Sequence, residues 1–76
     1  MIKKMTIKLT TPEDVTEFVK KASSVSGDIN VYRGKFAIDG TSLLSMMNLN
    51  LSQPLIAEYP AKAKDFENFI LQFKAE

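Results

Sequence analysis

Residues 29–49 read INVYRGKFAIDGTSLLSMMNL. Ile29 and Val31 point to one face of an extended chain, and Phe36 and Ile38 repeat that period after Arg33-Gly34. A two-residue loop at Arg33-Gly34 sets Val31 opposite Phe36 and Ile29 opposite Ile38. All four then share a face, as a sheet with one buried side requires. Arginine suits the first position of a primed turn poorly, so a bulge at Gly34 is the other way to close the same hairpin. Next, Asp39-Gly40-Thr41-Ser42 forms a turn and cap cluster. It leads into Leu43, Leu44, Met46, Met47, Leu49 and Leu51, a helix of about two turns near residues 42–49, apolar around much of its circumference. Asn48 or Asn50 is its expected left-handed stop.

On the N-terminal side, Met5, Ile7 and Leu9 alternate with Thr6, Lys8 and Thr10, the pattern of a half-buried strand. Thr11 is a good N-cap, and Pro12 fits the first helical position, where its missing amide is no loss. Glu13 and Asp14 sit favourably at the positive end of the helix dipole. Val15, Phe18, Val19 and Ala22 recur at i, i+3, i+4 and i+7 and make one apolar stripe. Ser23, Ser24, Ser26 and Gly27 end the helix, with Gly27 suited to a left-handed conformation past the last turn.

On the C-terminal side, Leu55, Ala57 and Tyr59 alternate as a fourth strand, with Pro54 at its start and Pro60 breaking it. Phe66, Phe69, Ile70 and Phe73 repeat the helical spacing, so an amphipathic helix of about 12 residues closes the chain, its phenylalanines in the core. The order is βαββαβα in a single domain over residues 1–76. The predicted fold class is α+β: an open-faced sandwich, a four-stranded, mainly antiparallel sheet with three helices on one face. A ferredoxin-like fold shares the first six elements, but its second helix has to cover the sheet as the first does. A two-turn helix is too short for that.

Composition narrows the chemistry. The chain has neither histidine nor cysteine, which excludes a phosphohistidine, a thiolate or a conventional zinc site. Seventy-six residues bury only about 60% of their unfolded surface, leaving no volume for a deep pocket. Ten basic against nine acidic residues, net +1, is too balanced for electrostatic nucleic-acid binding. A small nucleic-acid-binding α+β domain is therefore a disfavoured alternative, and Lys3-Lys4 and Lys20-Lys21 read as solvated patches. No apolar run approaches the roughly 20 residues of a membrane span. Met1-Ile2-Lys3-Lys4 is not followed by an apolar stretch, so no signal peptide is expected, and the lack of cysteine fits a reducing compartment. The expected location is the cytoplasm, without cofactor, metal or membrane.

In Glu17-Phe18-Val19-Lys20-Lys21-Ala22, the hairpin and Ser42-Leu43-Leu44-Ser45-Met46-Met47-Asn48-Leu49, the chain resembles the HPr-like family. These are the small phosphocarrier proteins of the bacterial sugar phosphotransferase system. The resemblance spans nearly the whole sequence; the last helix matches in apolar spacing only. It implies an HPr-like fold, with Ser42 in the place of the family's regulatory serine, which caps a short helix rich in Leu, Ile and Met. The departures from the pattern are larger than the matches. The family's phosphorylated histidine lies on a loop between the first strand and first helix, followed by a basic residue and a proline. Here Leu9-Thr10-Thr11-Pro12-Glu13-Asp14-Val15 runs directly from strand to helix, so most of that loop is missing. Glu13 and Asp14 stand where a carrier offers anion-binding amides and a basic residue. The connection before Leu55 is also shorter than in the family.

The resemblance makes Ser42 a candidate for phosphorylation by an ATP-dependent serine kinase, which in the family leads to binding of a catabolite-repression regulator. A phosphate of about −2 charge at a helix N-terminus meets free amides and a favourable dipole. The plainer reading is an N-cap contributing on the order of 1 kcal/mol, and the acidic neighbour Asp39 differs from the family's basic context. Leu43, Leu44, Met46 and Met47 are a candidate partner-binding patch, or two or three of them are core; so short a helix cannot bury all four. Glu13 and Asp14 diverge by about 100° on a helix, and as first-turn charges they need no catalytic or metal role. The expectation is a non-enzymatic, protein-binding regulator linked to carbohydrate uptake or catabolite control, a monomer or weak homodimer. Its expected partner is a phosphotransferase-system component, a serine kinase or a transcriptional regulator. A phosphocarrier by ancestry is the alternative, and without histidine it would need an unusual route.

Overall fold

In the computed structural model, which describes residues 1–75, strand β1 runs from Ile2 to Ile7 and helix α1 from Pro12 to Ala22. Strand β2 spans Asn30–Arg33, β3 Phe36–Asp39, α2 Leu43–Met47, β4 Leu55–Pro60 and α3 Lys64–Ile70, which continues as a 3₁₀ turn, Leu71–Phe73. The expected βαββαβα order is present. The strands lie in the order β1-β4-β2-β3, and every named pairing is antiparallel. Because β1 and β2 both oppose β4, they run parallel to each other with β4 between them, joined by α1. The C-terminal residues lie along β1: Lys8 N donates to Phe73 O at 2.8 Å and Ala75 N to Thr6 O at 2.9 Å.

Alternation of faces builds the core. Ile7, Val31, Leu55, Ala57 and Tyr59 face the helices and are buried, as are Leu9 beyond the end of β1 and Ile29 before β2. From the helices come Val15, Phe18, Val19 and Ala22, all buried as their spacing predicts, with Met46, Phe66 and Ile70. Phe66 meets Phe18 edge-on at 5.5 Å and Tyr59 at 5.6 Å, geometry that adds to the burial of these rings. Phe69 and Phe73 are only partly buried against this cluster, so they flank the core rather than fill it.

Three local expectations need correction, while the end of α1 is as expected. The hairpin forms, but its loop is Gly34-Lys35: Val31 pairs with Ile38, Arg33 with Phe36, and Gly40 N donates to Ile29 O at 2.8 Å. Gly34 has φ +60° and no other residue of the turn has positive φ, the pattern of a primed turn with glycine first, which decides the register. Phe36 is therefore at the sheet's end, 68% exposed, instead of over the core. Helix α1 ends at Ser23 in ordinary right-handed geometry, its last carbonyls met by the Ser23 and Ser24 hydroxyls. Gly27 lies beyond, at the positive φ expected of it past the last turn, +128°, and an added Cβ would also meet Pro60 Cγ at 2.9 Å, so both backbone and chain approach favour glycine there. Helix α2 is shorter than two turns, and Asn48 closes it in right-handed geometry with i→i+3 bonds, so neither Asn48 nor Asn50 is a left-handed stop. The final helix is likewise shorter than expected, because its last turn tightens to 3₁₀.

Candidate functional site

The short link from β1 into α1 is tied off by its own side chains. Asp14 N donates to Thr11 Oγ1 at 3.0 Å, while the Asp14 carboxylate turns back and accepts from Thr11 N at 3.3 Å. The same carboxylate oxygen accepts from Thr10 N at 3.0 Å and from Thr10 Oγ1 at 2.9 Å. Thr11 and Asp14 thus make a reciprocal capping box, with aspartate in the place usually held by Glu or Gln. The Thr10 amide, aided by the Thr10 hydroxyl and Thr11, holds the Asp14 carboxyl below the usual carboxylate range against some desolvation. The two backbone donors just ahead of the helix, Thr10 N and Thr11 N, thus already bind an internal anion. Glu13 makes no such contact, and the two acids do not converge. Among the described residues, no group of three or more acidic side chains is placed to hold a metal ion.

The second place is α2. Asp39 Oδ1 accepts from Thr41 N at 2.9 Å and Thr41 Oγ1 at 2.7 Å, which fixes the turn into the helix and lowers the Asp39 pKa through the Thr41 hydroxyl first. Ser42 is the N-cap: its Oγ accepts from Ser45 N at 3.4 Å and donates to Ser45 Oγ at 3.1 Å. The residue is half-buried and sits in extended geometry. Met46 points inward and is fully buried, so it leaves the candidate patch and belongs to the core. Leu43, Leu44 and Met47 face outward, 44%, 82% and 47% exposed. Their spacing, one, three and four residues apart, makes them one contiguous apolar surface beside Ser42.

Sequence reasoning located Ser42 and the apolar helix and missed the second role of Asp14. The Thr11-x-x-Asp14 spacing carries that signal, since a side-chain acceptor three residues after a threonine cap can reach back to it.

No family model matches the chain, and no curated protein does. Solved structures do. One is HPr-C-His from Thermoanaerobacter tengcongensis, 19% identical, with a TM-score of 0.67 over 95% of this chain and 88% of that one. Another is a phosphocarrier protein HPr from Bacillus anthracis str. Ames, 15% identical, with a TM-score of 0.62 over 99% of this chain and 96% of that one. At such identities the likeness is one of fold. With the sheet order and the three helices on one face, it shows that this chain has the HPr-like open-faced sandwich fold.

Proposed function

We propose that this protein is a divergent HPr-like family member that works by binding another protein through α2, and that it carries no phosphoryl group at the start of α1. The observation that carries the proposal is the exposed Leu43–Leu44–Met47 surface on a helix that Ser42 caps. Three outward apolar residues on a five-residue helix form a small surface of the kind that partners cover. The start of α1 supports the second half of the reading. The sequence has no histidine, and Asp14 occupies the Thr10 and Thr11 amides. The partner class is a phosphotransferase-system component, a serine kinase or a transcriptional regulator, reached in the cytoplasm. No helix among the described residues is long and apolar enough to cross a membrane.

Ser42 is the residue through which such binding would be regulated. A phosphate there keeps an acceptor at the helix start and adds charge beside the apolar surface. Treatment with the family's serine kinase and ATP, read by mass, should add one phosphate to the chain and none to Ser42→Ala. Incubation with the phosphate-donor enzyme and phosphoenolpyruvate should yield no acid-labile phosphoprotein; a labelled band would overturn the reading. Capture from native cytosol should recover one of the named partner classes with the wild type and lose it with Leu44→Asp.

A further inference from the structure

A groove of about 300 Å³ opens at the hairpin tip, between Arg33-Gly34-Lys35-Phe36 and Gln53-Pro54, which leads into β4. No acidic residue lines it, and two of its six residues are basic. Arg33 stands out among them. Its Nε is closed off from solvent and has no hydrogen-bond partner. Its guanidinium forms no ion pair among the described residues, a condition it shares with its neighbour Lys35, so both cations of the groove are without a carboxylate. An Nε closed off in this way holds the base of the guanidinium against the protein, so contact with a ligand falls to the terminal nitrogens.

The backbone holds this arginine in place. Arg33 ends β2 in register with Phe36, on the same face as the buried Val31, so its stem leaves a paired strand rather than a loose loop. Gly34 at φ +60° makes the turn that sets the Phe36 ring beside it, 68% exposed. The groove thus joins a planar cation, a second point charge at Lys35, an amide at Gln53 and an uncovered aromatic ring.

We infer that this groove binds an oxyanion, a carboxylate or a phosphate, carried on a ligand with a flat apolar body. The fork of a guanidinium matches two oxygens of such a group, and Lys35 adds attraction without geometric demand. Phe36 and Pro54 offer the surface on which the rest of the ligand packs. The larger groove between the end of α1 and the start of α3 provides an internal control. It is lined by Lys21, Lys62 and Lys64 and also holds Asp65. Three lysines against one aspartate give it the same net charge as Arg33 and Lys35, so charge alone would draw anions to both grooves alike.

The test follows backbone amide shifts of the full chain during titration with inorganic phosphate, phenyl phosphate and phenylacetate. Saturable shifts at Gly34, Lys35, Phe36 and Gln53 are expected, with phenyl phosphate or phenylacetate binding more tightly than inorganic phosphate; the tighter aryl probe identifies the preferred oxyanion. Arg33→Lys, which keeps the charge and loses the fork, should weaken that binding on the order of tenfold. Phe36→Ala leaves Arg33 in place and should bring phenyl phosphate down to the affinity of inorganic phosphate. Lys62→Gln should change nothing. The inference fails if all three probes give no saturable shift at the hairpin tip, if Arg33→Lys binds as tightly as wild type with its fold intact, or if the shifts centre on Lys21, Lys62 and Lys64.

Discussion

The Tyr59 hydroxyl donates to Glu67 Oε2 at 2.7 Å, and Lys3 Nζ lies 2.8 Å from the same oxygen. One carboxylate of α3 therefore ties together β4, whose Tyr59 ring is buried, and the edge strand β1. Burial and the bond to Glu67 push the Tyr59 pKa up to about 12, while Lys3, and then Tyr59, hold Glu67 below the usual carboxylate range. Tyr59→Phe keeps the ring and removes the donor. A loss on the order of 1 kcal/mol is expected in urea unfolding, since Glu67 keeps Lys3 and solvent.

The same link sets a pH dependence with two arms. Glu67 has a lowered pKa in the folded state, so its contribution is present above the unfolded value of about 4.3 and is lost as pH falls through the folded one. Tyr59 has a raised pKa, so its contribution is intact below about 10 and is lost as pH rises toward about 12. Unfolding midpoints of the wild type should decline in both windows. Tyr59→Phe should flatten the alkaline decline; an unchanged profile would remove Tyr59 as its cause.

The capping box gives a second test. Thr11→Ala and Asp14→Ala should each cost about 1 kcal/mol, and the double variant should cost less than their sum because the two residues serve one motif. Asp14 adds a further loss on acidification, because its folded pKa is lowered and its stabilisation fades as pH falls through that value. Additive losses in the double-mutant cycle would mean that Thr11 and Asp14 act separately.

How far these features could be read in advance depends on the physics behind each. The Val15, Phe18, Val19 and Ala22 stripe was legible because a helix against one sheet leaves a single periodic solution, and all four are buried. The hairpin register was not. A slip of two residues keeps every side chain on the same face, so alternation cannot separate Val31–Phe36 from the observed Val31–Ile38 pairing. The turn chooses between them, through the positive φ of Gly34. On α2, the sequence shows an excess of apolar residues but not which one turns inward; contact with α1 and β3 puts Met46 inside. The loss of the histidine chemistry was readable residue by residue. The unmatched Nε of Arg33 was not, because local patterning treats a turn arginine as solvated, and only the folded chain closes around it.

Helix α2 separates surface from core within five residues. Leu44→Ser should stay within about 0.5 kcal/mol of wild type, since its side chain is largely in solvent. Met46→Ala should cost about 2–5 kcal/mol, a large share of the margin of so small a domain. Ser42→Ala should cost about 1 kcal/mol, and Ser42→Asp should restore most of it, because aspartate also caps and suits the dipole. Chemical denaturation measures all four. Equal losses for Leu44→Ser and Met46→Ala would place both in the core and remove the surface on which partner binding is proposed.

The hairpin turn carries the last prediction. Gly34→Val demands positive φ of a β-branched residue, although nothing lies within 4 Å of where its Cβ would stand. The cost is therefore backbone strain without a clash, about 1–3 kcal/mol. Gly34→Asn, which tolerates that region better, should cost less than half as much. Cross-strand nuclear Overhauser contacts between Val31 and Ile38 report the register directly. If Gly34→Val instead shows Val31 facing Phe36, the chain has slipped by two residues, and Arg33 moves from the end of the ladder into the loop. That outcome would also dismantle the groove, because the guanidinium, Phe36 and Gln53 are brought together by the Gly34 turn.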